Sequence, residues 1–85
     1  MLYHIYTENI NKHAIEHIVS KFYDGYTIIE TTGYWQGKQE RSLIIEILTS
    51  DSESTVINAI AARIKRANSQ HSVLVAKIAC NHWLV

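Results

Sequence analysis

The chain has 85 residues and a mass of 9.8 kDa, which suits a single domain spanning residues 1–85. Its composition is 47% hydrophobic and 19% charged, which excludes a disordered chain. Eight basic residues balance eight acidic ones, so bulk charge disfavours a nucleic-acid partner. No apolar run approaches the roughly 18 residues of a membrane-spanning helix, and we expect no membrane partner.

The first half of the chain predicts a strand, a helix and a hairpin. Residues 2–7 are rich in Tyr and Ile, which favour a strand. Apolar residues then recur at helical spacing over 14–22, and Gly25 follows as a helix terminator. Two further strands are predicted over 26–35 and 41–49, on either side of a polar turn, so they form a long β-hairpin.

The second half predicts one more helix and one more strand. Ser50 and Glu53 have the spacing of a capping box, and an apolar stripe runs from Val56 to Ala67. Residues 72–80 favour a last strand, which Trp83-Leu84-Val85 extends or caps. The order β-α-β-β-α-β predicts an α+β, ferredoxin-like sandwich, a four-stranded antiparallel sheet with two helices on one face.

The predicted strands carry apolar residues on both faces. In the third strand Leu43, Ile45 and Ile47 point to one side, while Ile44 and Leu48 point to the other. Helices cover only one face, so the other would expose an apolar patch that monomers seldom tolerate. We therefore expect a homo-oligomer. Two alternatives stay open: a monomer whose patch binds another protein, or scattered aliphatic residues without consequence.

Two groups of residues have the chemistry of metal ligands or nucleophiles, but their context is weak. His13 and His17 belong to an H-x-x-E-H segment, yet both lie opposite the apolar stripe of the helix. They are candidates for adventitious metal binding only, and we predict no built metal site and no catalytic residue. Cys80 has the ordinary role of a small buried residue. Its neighbour His82 leaves a chemical role for the pair open.

The tip of the predicted hairpin is the candidate ligand site. Tyr34 and Trp35 supply rings, while Lys38 and Arg41 supply positive charge for an anion. In the alternative and favoured interpretation, the aromatic residues pack on a neighbouring subunit. The third strand, 41–48, has no aromatic residue, so RNA binding by this topology is disfavoured.

Three short motifs carry a family resemblance. They are G-x-T at Gly25, G-x-W at Gly33 and Q-x-S-V-L at Gln70. The pattern resembles a small family of uncharacterised bacterial or phage domains. The hairpin also resembles the regulatory cytoplasmic domain of YitT-type membrane proteins. Both are related in architecture to PII- and CutA-like domains, so the resemblance implies trimers that bind small anions, nucleotides or metals between subunits. The long nucleotide-binding loop of PII proteins is absent here.

Together these observations predict a non-enzymatic homo-oligomer, with a trimer implied by the resemblance, that binds a small anionic or nucleotide-like ligand between subunits. The alternative is a protein-interaction module, such as a phage-type inhibitor of a host protein. An enzyme is the least favoured class, because no nucleophile–base pair is evident. No cofactor is indicated. A single cysteine and an N-terminus without signal-peptide features predict a cytoplasmic location.

Overall fold

The computed structural model describes residues 1–50 and 52–85, so Asp51, within the predicted start of the second helix, lies outside the described residues. The elements follow the predicted order and are listed here with their bounds: β1 Leu2–Glu8, α1 Lys12–Ser20, β2 Thr27–Trp35, β3 Lys38–Leu48, α2 Ser54–Ala67 and β4 Leu74–Ile78. The sheet order is β2-β3-β1-β4, and each neighbouring pair is antiparallel. The ferredoxin-like α+β fold is confirmed.

The core lies between the helices and one face of the sheet. Alternate residues of β1 and β3 are buried, as expected for strands that turn every second side chain inward. Both helices place an apolar stripe on this face. The buried apolar residues are Tyr3, Ile5, Ile15, Val19, Leu43, Ile45, Ile47, Ile57, Ile60, Ala61 and Ile64. In the part of the chain that the structure describes, no helix packs on the opposite face of the sheet.

Element boundaries differ from the predicted ones in three places. The hairpin turn is only Gln36-Gly37, both with positive φ, so Lys38 already belongs to β3. The capping box at Ser50 is wrong, because Glu53 is the N-cap of α2 and makes no side-chain cap bond. Its carboxylate instead accepts a hydrogen bond from the Tyr23 hydroxyl. Finally, β4 ends at Ile78, and Trp83 does not extend it.

A buried polar cluster explains the glutamine of the Q-x-S-V-L motif. The Gln70 Oε1 atom accepts hydrogen bonds from the Thr7 hydroxyl at 2.5 Å and from Asn68 Nδ2 at 2.9 Å. Asn68 Nδ2 also donates to Thr7 Oγ1 at 3.1 Å and to the Glu8 carbonyl at 3.3 Å. These bonds hold the loop after α2 against the end of β1, and they set where β4 begins.

Candidate functional site

The four predicted ligand residues lie on the β2–β3 hairpin, but on two different faces. Trp35 and Lys38 are directly opposite each other across the two-residue turn. Tyr34 pairs with Gln39 and therefore points to the other side, as does Arg41. All four candidate side chains are exposed. The structure thus places Trp35 and Lys38 on one face of the hairpin and Tyr34 and Arg41 on the other, and does not bring the four together as one cluster.

This part of the hairpin forms an arm, which we define as residues 32–41. The pairing of β1 with β3 ends at Glu8 opposite Ser42, and one further backbone hydrogen bond runs from Asn9 N–H to the Arg41 carbonyl at 2.9 Å. Residues 38–40 of β3 are paired only with β2. The arm contributes to the elongated shape of the molecule, whose principal extents are 39 × 24 × 21 Å. Gly33 is required at its base, because a Cβ atom there would lie 2.7 Å from Ser42 Oγ.

The residues considered for metal or thiol chemistry do not form a site. His13 and His17 are exposed on α1. Across the described ranges, no group of three or more His, Cys, Asp or Glu side chains is placed to hold a metal ion. Cys80 is exposed beyond the end of β4, so the expectation of a small buried residue is wrong. It lines a shallow cleft of about 320 Å³ together with Met1 and Ser52.

The helix-free side of the sheet, here called the open face, is organised in three rows that run across the strands. Strand register defines each row. In the order β2, β3, β1, β4, the Tyr6 row contains Ile29, Ile44, Tyr6 and Leu74. The His4 row contains, in the same order, Thr27, Glu46, His4 and Ala76. The Leu2 row has no β2 member and contains Leu48, Leu2 and Ile78. A polar row therefore lies between two mainly apolar rows.

The centre of the polar row is a hydrogen-bonded chain of three side chains. His4 Nε2 lies 2.8 Å from Glu46 Oε2, and the Tyr6 hydroxyl lies 3.1 Å from His4 Nδ1. The His4 and Tyr6 rings meet edge to face with centroids 5.7 Å apart. The His4 and Glu46 side chains are only 18% and 32% exposed, although nothing covers the face.

Large aliphatic side chains surround this chain and are in contact with solvent. The exposed fractions on the open face are 39% for Ile29, 47% for Leu48, 65% for Leu74 and 47% for Ile78. Trp35, on the same side of the hairpin, is 66% exposed. The open face and the side of the arm that carries Trp35 and Lys38 therefore form one continuous surface, which is apolar at its edges and polar at its centre.

Carboxyl groups at the base of the arm add a titratable element to this surface. Partial burial raises the pKa of Glu40, and the charge and hydrogen bond of Glu8 raise it further. On the exposed part of the hairpin, Lys12 has the opposite effect on Glu30. The hydrogen bond at 3.0 Å and the charge of Lys12 lower the pKa of that carboxyl.

The sequence did not point to the three residues of the central chain. His4, Tyr6 and Glu46 carry no motif, and 42 residues separate His4 from Glu46. One available signal was the alternation of side chains along each strand, because it places His4 and Tyr6 on the same side as Leu2, and Glu46 on the same side as Leu48. The pairing register that joins the two strands was not available from the sequence.

Comparison with known protein families gives a match over nearly the whole chain. The family described as "Protein of unknown function (DUF3574)" matches residues 3–82, and the chain belongs to that family. Membership of an uncharacterised family of small domains was predicted and is confirmed. A search of curated proteins gives no match. Within the described residues, no helix has the length and apolar character needed to cross a membrane.

Proposed function

We propose that this protein is a non-enzymatic, homo-oligomeric binding module whose open face packs against a second copy. One observation carries the proposal. Ile29, Leu48, Leu74 and Ile78 are between 39% and 65% exposed on a single face that no helix of the chain covers. Large aliphatic side chains gathered on one exposed face are typical of an interaction site.

The open face suits another copy of the same chain. Its centre holds a hydrogen-bonded pair, His4 and Glu46, that can meet the same pair of a second copy. A sheet of four strands about 4.8 Å apart offers a footprint of roughly 400 Å² over six residues of strand length. Two copies would bury close to the lower limit of specific interfaces, about 1,000 Å², once the arm is included. An interface of that size is typical of weak, transient association.

A small anionic, nucleotide-like ligand fits beside this interface. Lys38 and Trp35 are cross-strand neighbours on the same side as the open face. The ammonium group can pair with an anion while the indole packs against a ring. Because Tyr34 and Arg41 lie on the opposite side of the arm, they serve a separate contact and not the same pocket.

Sedimentation velocity across about 1 to 200 µM tests self-association in the range expected for so small an interface. Wild type should sediment as an oligomer at the upper end. The Leu74→Asp variant should remain monomeric, because it places a charge in the Tyr6 row. The matched control is Ile10→Asp, which changes a residue of similar exposure, 61% against 65%, outside the sheet. Monomeric wild type throughout would refute the proposal and favour the alternative, a monomeric protein-interaction module.

Thermal melting with ATP, AMP and inorganic phosphate tests the ligand part. Binding raises the melting temperature by mass action. The shift should be lost in the Lys38→Ala variant and kept in a Lys21→Ala control, which removes an exposed lysine of the loop after α1. No shift with any of the three compounds, or an equal loss in both variants, would refute the site on the arm.

A further inference from the structure

We infer that two copies of this chain pack face to face as a twofold dimer, with His4 of each copy against Glu46 of the other. The inference rests on the proposed function, since it requires the open face to be the interface. It adds the register, the symmetry and the residues that select them.

His4 and Glu46 lie at the centre of the sheet. His4 belongs to β1 and Glu46 to β3, and these are the two central strands of the order β2-β3-β1-β4. The two residues are direct neighbours in one row, on either side of the sheet's midline. Any packing of two such faces must bring the two His4–Glu46 pairs close together, because they sit at the centre.

Two sheets that pack face to face align their strands to within about 30° or cross them near 90°. A twofold axis in the aligned class can run along the strands or along the rows. An axis along the strands, between β1 and β3, exchanges the two halves of the sheet. It places His4 on Glu46 of the second copy, Tyr6 on Ile44, and Leu2 on Leu48. Polar residues then meet polar residues and apolar residues meet apolar ones.

The other arrangements bring unfavourable groups together. An axis along the rows places each residue of the His4 row on its own mate, so Glu46 faces Glu46 and His4 faces His4. Like charges held face to face in an interface cost several kcal/mol. An orthogonal packing lays the His4 row of one copy across the apolar rows of the other, and buries its charges against aliphatic side chains.

The same arrangement also suits the end of the sheet near the arm. An axis along the strands places Glu8 on Ser42 of the second copy, since these residues are neighbours in the next row. A carboxylate then faces a hydroxyl group. In an isologous interface each such contact occurs twice, so the four side chains of two His4–Glu46 pairs form a closed polar cluster at the centre.

A charge-swapped variant tests the register. The double variant His4→Glu/Glu46→His keeps the pair within each copy but exchanges its ends. With the axis along the strands, the variant still forms dimers with itself. Mixed with wild type, however, it places His on His and Glu on Glu. Native mass spectrometry of the mixture should therefore show mixed dimers about tenfold below the statistical proportion. The neutral control, His4→Gln/Glu46→Gln, should mix with wild type near that proportion.

Each remaining result has a defined meaning. Mixed dimers at or above the statistical proportion overturn the inferred register, and above it they identify the axis along the rows. A trimeric mass overturns the twofold arrangement but keeps the proposed self-association. A wild type that is monomeric at all concentrations refutes both. Circular dichroism of each variant confirms that the comparison is made between folded proteins.

A second measurement uses the wild-type sequence. Cys80 is the chain's one cysteine, it is exposed, and it follows β4 at the end of the sheet remote from the arm. Spin labels on the two Cys80 residues should lie roughly 20 Å apart with the axis along the strands, and roughly 30 Å apart with the axis along the rows. The longer distance would overturn the inference without any change to the interface residues.

Discussion

Replacing Asn68 by alanine should destabilise the domain far more than its position at a helix end suggests. Asn68 is the C-cap of α2 and is only 8% exposed. Its Nδ2 group donates to Thr7, to the Glu8 carbonyl and to Gln70. The variant removes all three of these donated bonds, including the one to the Glu8 carbonyl, and opens space beside Thr7.

The magnitude follows from the number of bonds. Each buried hydrogen bond contributes a net 1 kcal/mol or so, and the cavity adds to the loss, so we expect about 2 to 3 kcal/mol. For a domain of this size that corresponds to a fall in melting temperature of roughly 10 to 20 °C. The assay is thermal and urea unfolding followed by far-ultraviolet circular dichroism.

Asn58→Ala is the matched control, because Asn58 is exposed on the same helix. Its stability should stay within about 0.5 kcal/mol of wild type. Asn68→Asp should be worse than Asn68→Ala, since it places an acceptor against three acceptors. If Asn68→Ala and Asn58→Ala unfolded at the same temperature, the polar cluster would not be what holds the α2–β4 loop on β1.

Two further predictions concern the hairpin. Gly33→Ala should cost about 1 kcal/mol, because its Cβ would meet Ser42 Oγ at 2.7 Å. The loss should be recovered with Ser42→Ala and absent in the Gly25→Ala control, where a Cβ meets nothing within 4 Å. Titration of Glu40 and Glu30 should have opposite effects on stability. The raised pKa of Glu40 gives stability that is lost as pH rises through that pKa, so Glu40→Gln should melt above wild type at neutral pH. The lowered pKa of Glu30 gives stability that is lost as pH falls, so Glu30→Gln should melt below wild type at neutral pH. Both differences should shrink toward about pH 4, the ordinary range of a Glu carboxyl, and melting-temperature changes of the same sign in the two variants would contradict this.

The order of the elements could be predicted because each element has a local signal. The strand-favouring composition of residues 2–7 and the helical stripe from Val56 to Ala67 depend on near neighbours in the sequence, and a strand and a helix form there. Boundaries decided by distant partners could not be predicted. Glu53 is the clearest case. Its carboxylate accepts a hydrogen bond from Tyr23, which lies just after α1, and it takes no part in a capping box.

At the candidate site, too, features set by local sequence could be predicted and features set by distant partners could not. The sequence predicted apolar residues on both faces of the sheet, and the exposed Leu48 and Leu74 confirm it. It did not predict that Trp35 lies directly opposite Lys38, because that pairing requires a turn of two residues instead of four. Nor could it predict the His4–Glu46 contact, which requires the pairing register of β1 with β3.

The positions of the two tryptophans have a practical consequence for spectroscopy. Trp35 is 66% exposed on the arm and Trp83 is 79% exposed in the segment after β4, while the buried core contains tyrosine but no tryptophan. Indole emission will thus start red-shifted in the native state and change little when the core melts. The same property makes Trp35 a sensitive optical reporter of anything that settles on the arm, against a background that unfolding barely disturbs.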